Sequence, residues 1–102
     1  MVKWYHSLYV GEDARKDLKS IRKKLNHGHA GFSQYIITLA SNGTDMLDIM
    51  SGLYLPEKKI RNGLPMIVGI ASTREEAFSL VRKMTEDCLA EQGNPDLRLF
   101  FT

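Results

Sequence analysis

The order of the apolar segments limits what this chain can fold into more than any other feature of the sequence. A strand-like segment, a helical stripe and a second strand-like segment fill residues 3–40, and the same order returns over residues 64–101. The strand-like segments are rich in β-branched and aromatic residues and are bounded by turn residues, so each predicts a β-strand. The predicted strands cover residues 3–10, 33–40, 64–71 and 97–101.

Two stripes of apolar residues at helical spacing connect these strands in pairs. The first stripe consists of Ala14, Leu18, Ile21 and Leu25. The second consists of Ala77, Val81, Met84 and Cys88, and it is widened by Phe78, Leu80 and Leu89. Thr73 and Glu76 stand three residues apart before the second stripe, as in the capping box that begins many helices. The pattern therefore predicts one helix after the first strand and another after the third.

The two units are alike in order and length, and this repetition is typical of the split β-α-β pattern. We therefore predict an α+β, ferredoxin-like split β-α-β sandwich, with a four-stranded sheet, two main helices and an irregular middle segment. A chain of 102 residues is expected to form a single globular domain over residues 1–102. An α/β open parallel sheet is the alternative, because the middle segment is long enough for a crossover between parallel strands.

Residues 41–63, between the two units, carry the least decisive pattern. The apolar residues within 46–55 fit one or two short helical turns better than strict alternation. Ser51-Gly52 weakens this interpretation, because glycine inside a helix costs about 1 kcal/mol relative to alanine. We favour helical turns here, with a strand as the main alternative.

Charge and composition are those of an ordinary globular domain. Hydrophobic residues make up 43% of the chain, and the net charge of +2 is too small to indicate nucleic-acid binding by itself. The single cysteine excludes an intramolecular disulfide, and no apolar signal segment follows Met1. No apolar run approaches the roughly 18 residues that span a bilayer. We therefore expect a cytoplasmic protein with no membrane partner.

No residue pattern in the chain predicts catalysis or a bound cofactor. Zinc needs three or four ligands, and His27 and His29 have only His6 and Cys88 as further ligands, on separate elements. Cys88 lies on the apolar stripe of its helix, which favours a small buried side chain over a nucleophile. We assign no catalytic, metal-binding or cofactor-binding residue and expect no cofactor. Whether the protein is an enzyme stays open, and that class ranks third.

One face of the predicted sheet is apolar, whereas the other is mixed and carries aromatic side chains. A ferredoxin-like sheet has its helices on one side, so the mixed face would be open to water, although it is too apolar for a purely solvated surface. In this arrangement Tyr9, Ile36 and Ile67 share one side of the sheet. The opposite side then carries Leu8, Ile37 and Val68. The candidate interface residues are Tyr5, Tyr9, Ile36, Ile67, Arg98 and Phe100.

Three uses fit such a face, and self-association into a homo-oligomer ranks first. Covering by residues 46–55 ranks second, and stacking of nucleic-acid bases, as on RNA-recognition sheets, ranks third. The basic first helix offers another nucleic-acid surface, because lysine and arginine neutralise phosphates. The candidate contacts there are Lys19, Arg22 and Lys23, although long cations usually coat a solvated face.

Several segments together resemble a known family. They are WY and YVGE at the two ends of residues 4–12, YIITLASN (35–42), MLDI (46–49), IVGIA (67–71), EEA (75–77) and DLRLFF (96–101). In these segments the chain is similar to a group of short bacterial proteins of about this length whose function is uncharacterised. The resemblance covers nearly the whole chain and implies a shared fold, but it implies no activity, ligand or catalytic residue.

The residues and the resemblance together favour a non-enzymatic binding or protein-interaction module that self-associates. The alternative is a nucleic-acid-binding module that uses either the basic first helix or the aromatic sheet face.

Overall fold

A computed structural model of the chain describes residues 3–27, 33–40, 46–54 and 63–101. Its sheet has four strands, which are β1 (Trp4–Val10), β2 (Tyr35–Leu39), β3 (Leu47–Ser51) and β4 (Ile67–Ala71). Their order across the sheet is β1-β4-β2-β3. β1 runs parallel to β4, whereas β2 runs antiparallel to both β4 and β3. Predictions about the His27 side chain, His29 and residues 41–45 and 55–62 lie outside the described residues.

Two main helices accompany the sheet, as the apolar stripes predict. α1 (Leu18–His27) follows a single 3-10 turn over Arg15–Asp17, and α2 spans Arg74–Gln92. The predicted α+β class is confirmed, and the mixed four-stranded sheet with two main helices is compatible with a split β-α-β, ferredoxin-like arrangement. α2 ends at Gly93, whose φ of 75° is in the left-handed region that glycine adopts most easily.

At the start of α2, the carboxylate of Glu76 contacts several backbone segments. The Glu76 backbone N–H donates to the Thr73 hydroxyl at 3.1 Å, which confirms Thr73 as the N-cap. The Glu76 carboxylate accepts hydrogen bonds from the backbone N–H of Ser72 at 2.7 Å and of Asp13 at 3.2 Å. It also lies against Gly11, where a Cβ atom would collide with it. Glu76 therefore connects the segment after β1 to the start of α2.

The favoured prediction of helical turns over residues 46–55 is wrong for residues 47–51, which form β3. Every residue of β3 is in register with β2, from Tyr35 opposite Ser51 to Leu39 opposite Leu47. Leu47 and Ile49 pack on one side of the sheet and Met50 on the other, as the period of two in a strand requires. A single 3-10 turn, Gly52–Tyr54, follows the strand.

The predicted last strand over residues 97–101 is also wrong, because Leu97–Phe100 forms a short helix, α3. Asn94-Pro95 turns the chain, and the Asp96 carboxylate then accepts from the backbone N–H of Leu99 at 3.2 Å as an N-cap. Leu97 and Phe101 are both buried, and their spacing of four residues places them on one side of a helix. The fourth strand of the sheet is therefore β3 instead of a C-terminal strand.

The two main helices lie on opposite faces of the sheet. Ile21 and Leu25 of α1 pack with Ile36 and Ile70, in a core cluster that also contains Ile67. Residues of α2 pack in a second cluster, together with Ile37, Val68 and Ala71. Because neighbouring residues of a strand point to opposite faces, Ile36 and Ile37 assign α1 to one face and α2 to the other. The expectation that the helices cover a single face is thus corrected.

Candidate interaction surfaces

The structure removes Ile36 and Ile67 from the predicted interface. Both side chains are completely buried beneath α1, within the core of the chain itself. Tyr9 packs on the opposite face, with the α2 cluster, and Leu8 packs on the face of Ile36 and Ile67. The predicted division of the sheet faces is therefore wrong for Tyr9 and Leu8 of β1, whereas Ile36 and Ile67 do lie opposite Ile37 and Val68. Neither Ile36 nor Ile67 offers a surface to a second copy.

Tyr5 and Tyr9 belong to an aromatic cluster at the α2 side of β1. The Tyr9 hydroxyl donates to the Asp87 carboxylate of α2 at 2.5 Å, and burial together with Asp87 raises the pKa of Tyr9. The Tyr5 ring lies edge-on to Phe101, with 4.8 Å between the ring centroids. Both tyrosines are half-buried and connect β1 to α2 and to the C-terminal part of the chain.

The remaining two predicted interface residues lie on α3 instead of on a strand. The Arg98 guanidinium donates to the backbone carbonyl of Ala40 at 3.3 Å, close to the end of β2. The Phe100 ring contacts Phe101, with 5.1 Å between the ring centroids. The Arg98 bond joins α3 to the end of β2. Phe100 packs against the same cluster as Tyr5 and Tyr9, on the opposite face of the sheet from Ile36 and Ile67.

An apolar surface appears on α2, at residues that lie at the margin of its apolar stripe. Phe78 is 56% exposed and Leu89 is 46% exposed. Val81 and Thr85 lie between them along the helix and are half-buried. We call this row of four residues, Phe78, Val81, Thr85 and Leu89, the α2 flank.

The position of Asp87 shows which way the α2 flank faces. Asp87 lies on the other side of α2 and contacts Tyr9 of β1, at one edge of the sheet. The α2 flank therefore faces the other edge, where β3 lies. Leu47 and Ile49 of β3 are half-buried on this same face of the sheet, so apolar side chains extend from the helix to the sheet edge.

The sequence does contain a signal for the α2 flank. The apolar residues from Leu80 through Met84 and Cys88 to Leu89 spread over roughly 180° of the helix circumference, at 3.6 residues per turn. A helix that packs on one core needs a stripe of roughly 100°. The excess width indicates apolar residues that the core of the chain does not cover, and Phe78 and Leu89 are those residues.

The predicted nucleic-acid contacts lie together on the outer side of α1. Lys19, Arg22 and Lys23 are exposed. The Arg22 guanidinium lies over the indole ring of Trp4, 4.8 Å from its centroid, and the Trp4 Nε1–H donates to the Asn26 side chain at 3.2 Å. Among the described residues the ion pair within 4.0 Å is Lys83 with Asp87, on α2. The cations of α1 thus have no such pair in the described part of the chain.

Cys88 occupies the core, which confirms the interpretation of a buried side chain. Its thiol donates to the backbone carbonyl of Asn94 at 3.2 Å. Burial and the nearby Asp96 raise the pKa of this thiol, so the thiolate that nucleophilic chemistry requires is disfavoured. Within the described residues no group of three or more His, Cys, Asp or Glu side chains could hold a metal ion.

None of the described helices is both long enough and apolar enough to cross a bilayer. Comparisons with protein-family models, with curated proteins and with solved structures gave no match. The function is therefore inferred from two surfaces within the described residues, the apolar α2 flank and the basic side of α1.

Proposed function

We propose that the protein is a small, cytoplasmic, non-enzymatic interaction module that self-associates through the α2 flank. The observation that carries the proposal is the exposure of Phe78 and Leu89, one aromatic and one aliphatic side chain on the same side of one helix. Exposed apolar clusters of this kind, and aromatic anchors in particular, are characteristic of protein–protein contacts.

The energetics require a contact larger than these two side chains. Complete burial of a phenylalanine or leucine stabilises a complex by about 1.5–3 kcal/mol, whereas association costs on the order of 4–15 kcal/mol. In a two-fold dimer, Phe78 and Leu89 of both copies are buried. The half-buried Leu47 and Ile49 extend the apolar surface towards β3. The apolar edge between α2 and β3 supplies the additional area that Phe78 and Leu89 alone lack.

The charges beside the α2 flank favour a second copy of this chain as the partner. The midpoint between Phe78 and Leu89 lies between residues 83 and 84. A two-fold axis at this point pairs α2 with an antiparallel α2, so that Phe78 faces Leu89 of the second copy. It also brings Arg82 beside Glu86 of the second copy, and the reciprocal pair forms by symmetry. α2 thus presents apolar and charged groups that are complementary to the same groups on α2 of a second copy.

The test is the solution mass by light scattering over a range of protein concentrations. Wild type should approach twice the chain mass of 11.6 kDa. The double substitution Phe78→Glu and Leu89→Glu should keep the fold, because both positions are exposed, and should have the mass of one chain. The control is Ser79→Glu with Ala90→Glu, which adds the same charge at exposed positions on the outer side of α2, and it should behave as wild type.

A charge exchange tests the antiparallel geometry itself. Arg82→Glu should weaken the dimer, because the introduced carboxylate would lie beside the carboxylate of Glu86 in the second copy. Combining Arg82→Glu with Glu86→Arg should restore the dimer. A monomeric wild type would overturn the proposal, as would a Phe78→Glu, Leu89→Glu variant that keeps the dimer mass.

A further inference from the structure

The basic side of α1 combines two features that nucleic-acid recognition uses together. Lys19 and Lys23 are exposed and flank Arg22 within about one helical turn. Arg22 is not a simple solvated cation, since its guanidinium lies over the indole of Trp4. The indole is in turn oriented by the hydrogen bond to Asn26. We call Trp4 and Arg22, with Lys19 and Lys23 beside them, the Trp4–Arg22 platform.

We propose that the Trp4–Arg22 platform binds single-stranded nucleic acid, with an unpaired base stacking on the Arg22 guanidinium and adjacent phosphates contacting Lys19 and Lys23. A guanidinium is planar, and arginine held on an aromatic ring leaves its other side available to a base. Stacking of a base with cations nearby is the usual way in which proteins bind single strands without reading sequence.

The local charges support an anionic ligand at this place. Asp17, the acid nearest the start of α1, accepts a hydrogen bond from the Gln34 side chain at 3.1 Å and is half-buried. Asp17 belongs to the 3-10 turn that precedes α1, and continuing the helix back by one residue, at about 100° per residue, places it on the other side from Lys19 and Lys23. The platform therefore presents positive charge that Asp17 does not neutralise.

A single strand fits the platform better than a duplex or an anionic membrane. The bases of a duplex are stacked inside the helix and cannot reach Arg22 without being flipped out. A lipid headgroup offers a phosphate but no base, so it would use Lys19 and Lys23 and leave the stacked arginine unused. The platform also lies on the face of the sheet opposite the α2 flank, so the proposal does not rest on self-association.

The intrinsic fluorescence of the protein reports on this site directly, because Trp4 is the single tryptophan of the chain. Titration of the full chain with a short single-stranded oligonucleotide, at roughly physiological ionic strength, should quench or shift this fluorescence saturably. An abasic strand of equal length carries the same phosphates without bases, and it should bind more weakly and leave the fluorescence nearly unchanged. The matching duplex and anionic phospholipid vesicles should also bind more weakly than the single strand.

Two variants separate the stacking contact from the phosphate contacts. Arg22→Lys keeps the charge but loses the planar group, and it should weaken binding of the normal strand by at least about fivefold while leaving abasic binding unchanged. Lys19→Gln with Lys23→Gln should weaken binding of both strands about tenfold at physiological salt. It should also reduce the slope of log K against log salt by about 1.4, because each single-strand phosphate contact contributes about 0.7.

The control is Arg74→Gln with Lys83→Gln, which removes two exposed cations of α2 and should change affinity little. The proposal is overturned if this control weakens binding as much as the α1 pair does. Equal affinity for the abasic strand, the duplex or the vesicles would also overturn it, because binding would then depend on charge alone. If the single strand did not bind at all, the platform would not be a nucleic-acid site.

Discussion

The two main helices cover the same sheet from opposite sides, but they present different outer surfaces. The inward residues of α1, Leu18, Ile21 and Leu25, occupy roughly 60° of its circumference at 3.6 residues per turn. The apolar residues of α2 occupy about three times that width, and Phe78 and Leu89 at one margin are exposed. A narrow stripe leaves a helix free to carry charge on its outside, whereas a wide stripe leaves apolar surface that a partner can bury.

The largest effect should follow from placing a charge between α1 and the sheet. Ile67→Glu puts a carboxylate at a completely buried position of the α1-side cluster. Burial of an unpaired charge costs several kcal/mol, on the order of the whole stability of a small domain. The variant should show no cooperative unfolding by circular dichroism, whereas the control Ile67→Val should lose about 1 kcal/mol. A folded Ile67→Glu variant would mean that α1 does not cover this face.

The next largest loss of stability is expected at two neighbouring residues of β2 that lie on opposite faces of the sheet. Ile36 is buried beneath α1 and Ile37 beneath α2, both completely. Ile36→Ala and Ile37→Ala should each reduce the free energy of unfolding in urea by about 2–5 kcal/mol, because each leaves a cavity in a closed core. Leu53→Ala, at a position that is 67% exposed, is the control and should change stability little. If one isoleucine behaved like Leu53, one face of the sheet would be open.

The sequence predicts the alternation of β2, but neither the register between strands nor the break in the alternation of β4, where Ile67 and Ile70 lie on the same face. Ile36 and Ile37 point to opposite faces, as predicted, and the error lies in which face of β1 joins which face of β2 and β4. Trp4 is in register with Ile67 and Tyr9 with Gly69, so residues 5–8 of β1 lie opposite Val68 alone. Trp4, which precedes this irregularity, and Val10, which follows it, both pack on the α1 side with their partners Ile67 and Ile70. The error therefore concerns the register of β1 as a whole, which no local pattern in the sequence encodes.

The composition of β4 does indicate that the sheet is covered on both faces. All five residues of Ile67–Ala71 are buried. A continuous apolar strand is typical of a sheet covered on both faces, whereas alternation is typical of a sheet with one solvated face. The run from residue 67 to residue 71 therefore favours helices on both sides of the sheet.

The errors at β3 and α3 have a different origin, because both segments are short and contain apolar residues that fit either structure. β3 is a strand because β2 offers it five consecutive register partners, a long-range contact that no local periodicity reveals. At α3 the local information was sufficient, since Asp96 after Asn94-Pro95 is a good N-cap. The prediction of a strand over residues 97–101 rests on their apolar content and takes no account of this cap.

The smallest loss of stability is expected at the helix N-terminus, where the two main helices differ in their caps. No side chain caps the 3-10 turn before α1, where the N-cap position is the buried Ala14. α2 is capped by the Thr73 hydroxyl, which accepts from the Glu76 backbone N–H. Thr73→Ala should therefore reduce the free energy of unfolding by about 1 kcal/mol, as loss of a cap does in other helices.

Urea denaturation at a concentration where the protein is monomeric measures this difference without a contribution from self-association. Ser79→Ala removes a hydroxyl from an exposed interior position of the same helix, so it controls for the loss of a hydroxyl on α2 and should leave stability unchanged or slightly higher. If Thr73→Ala matched this control, the hydroxyl would contribute nothing to α2. The hydrogen bonds that the Glu76 carboxylate accepts from the backbone N–H groups of Ser72 and Asp13 would then hold the start of the helix by themselves.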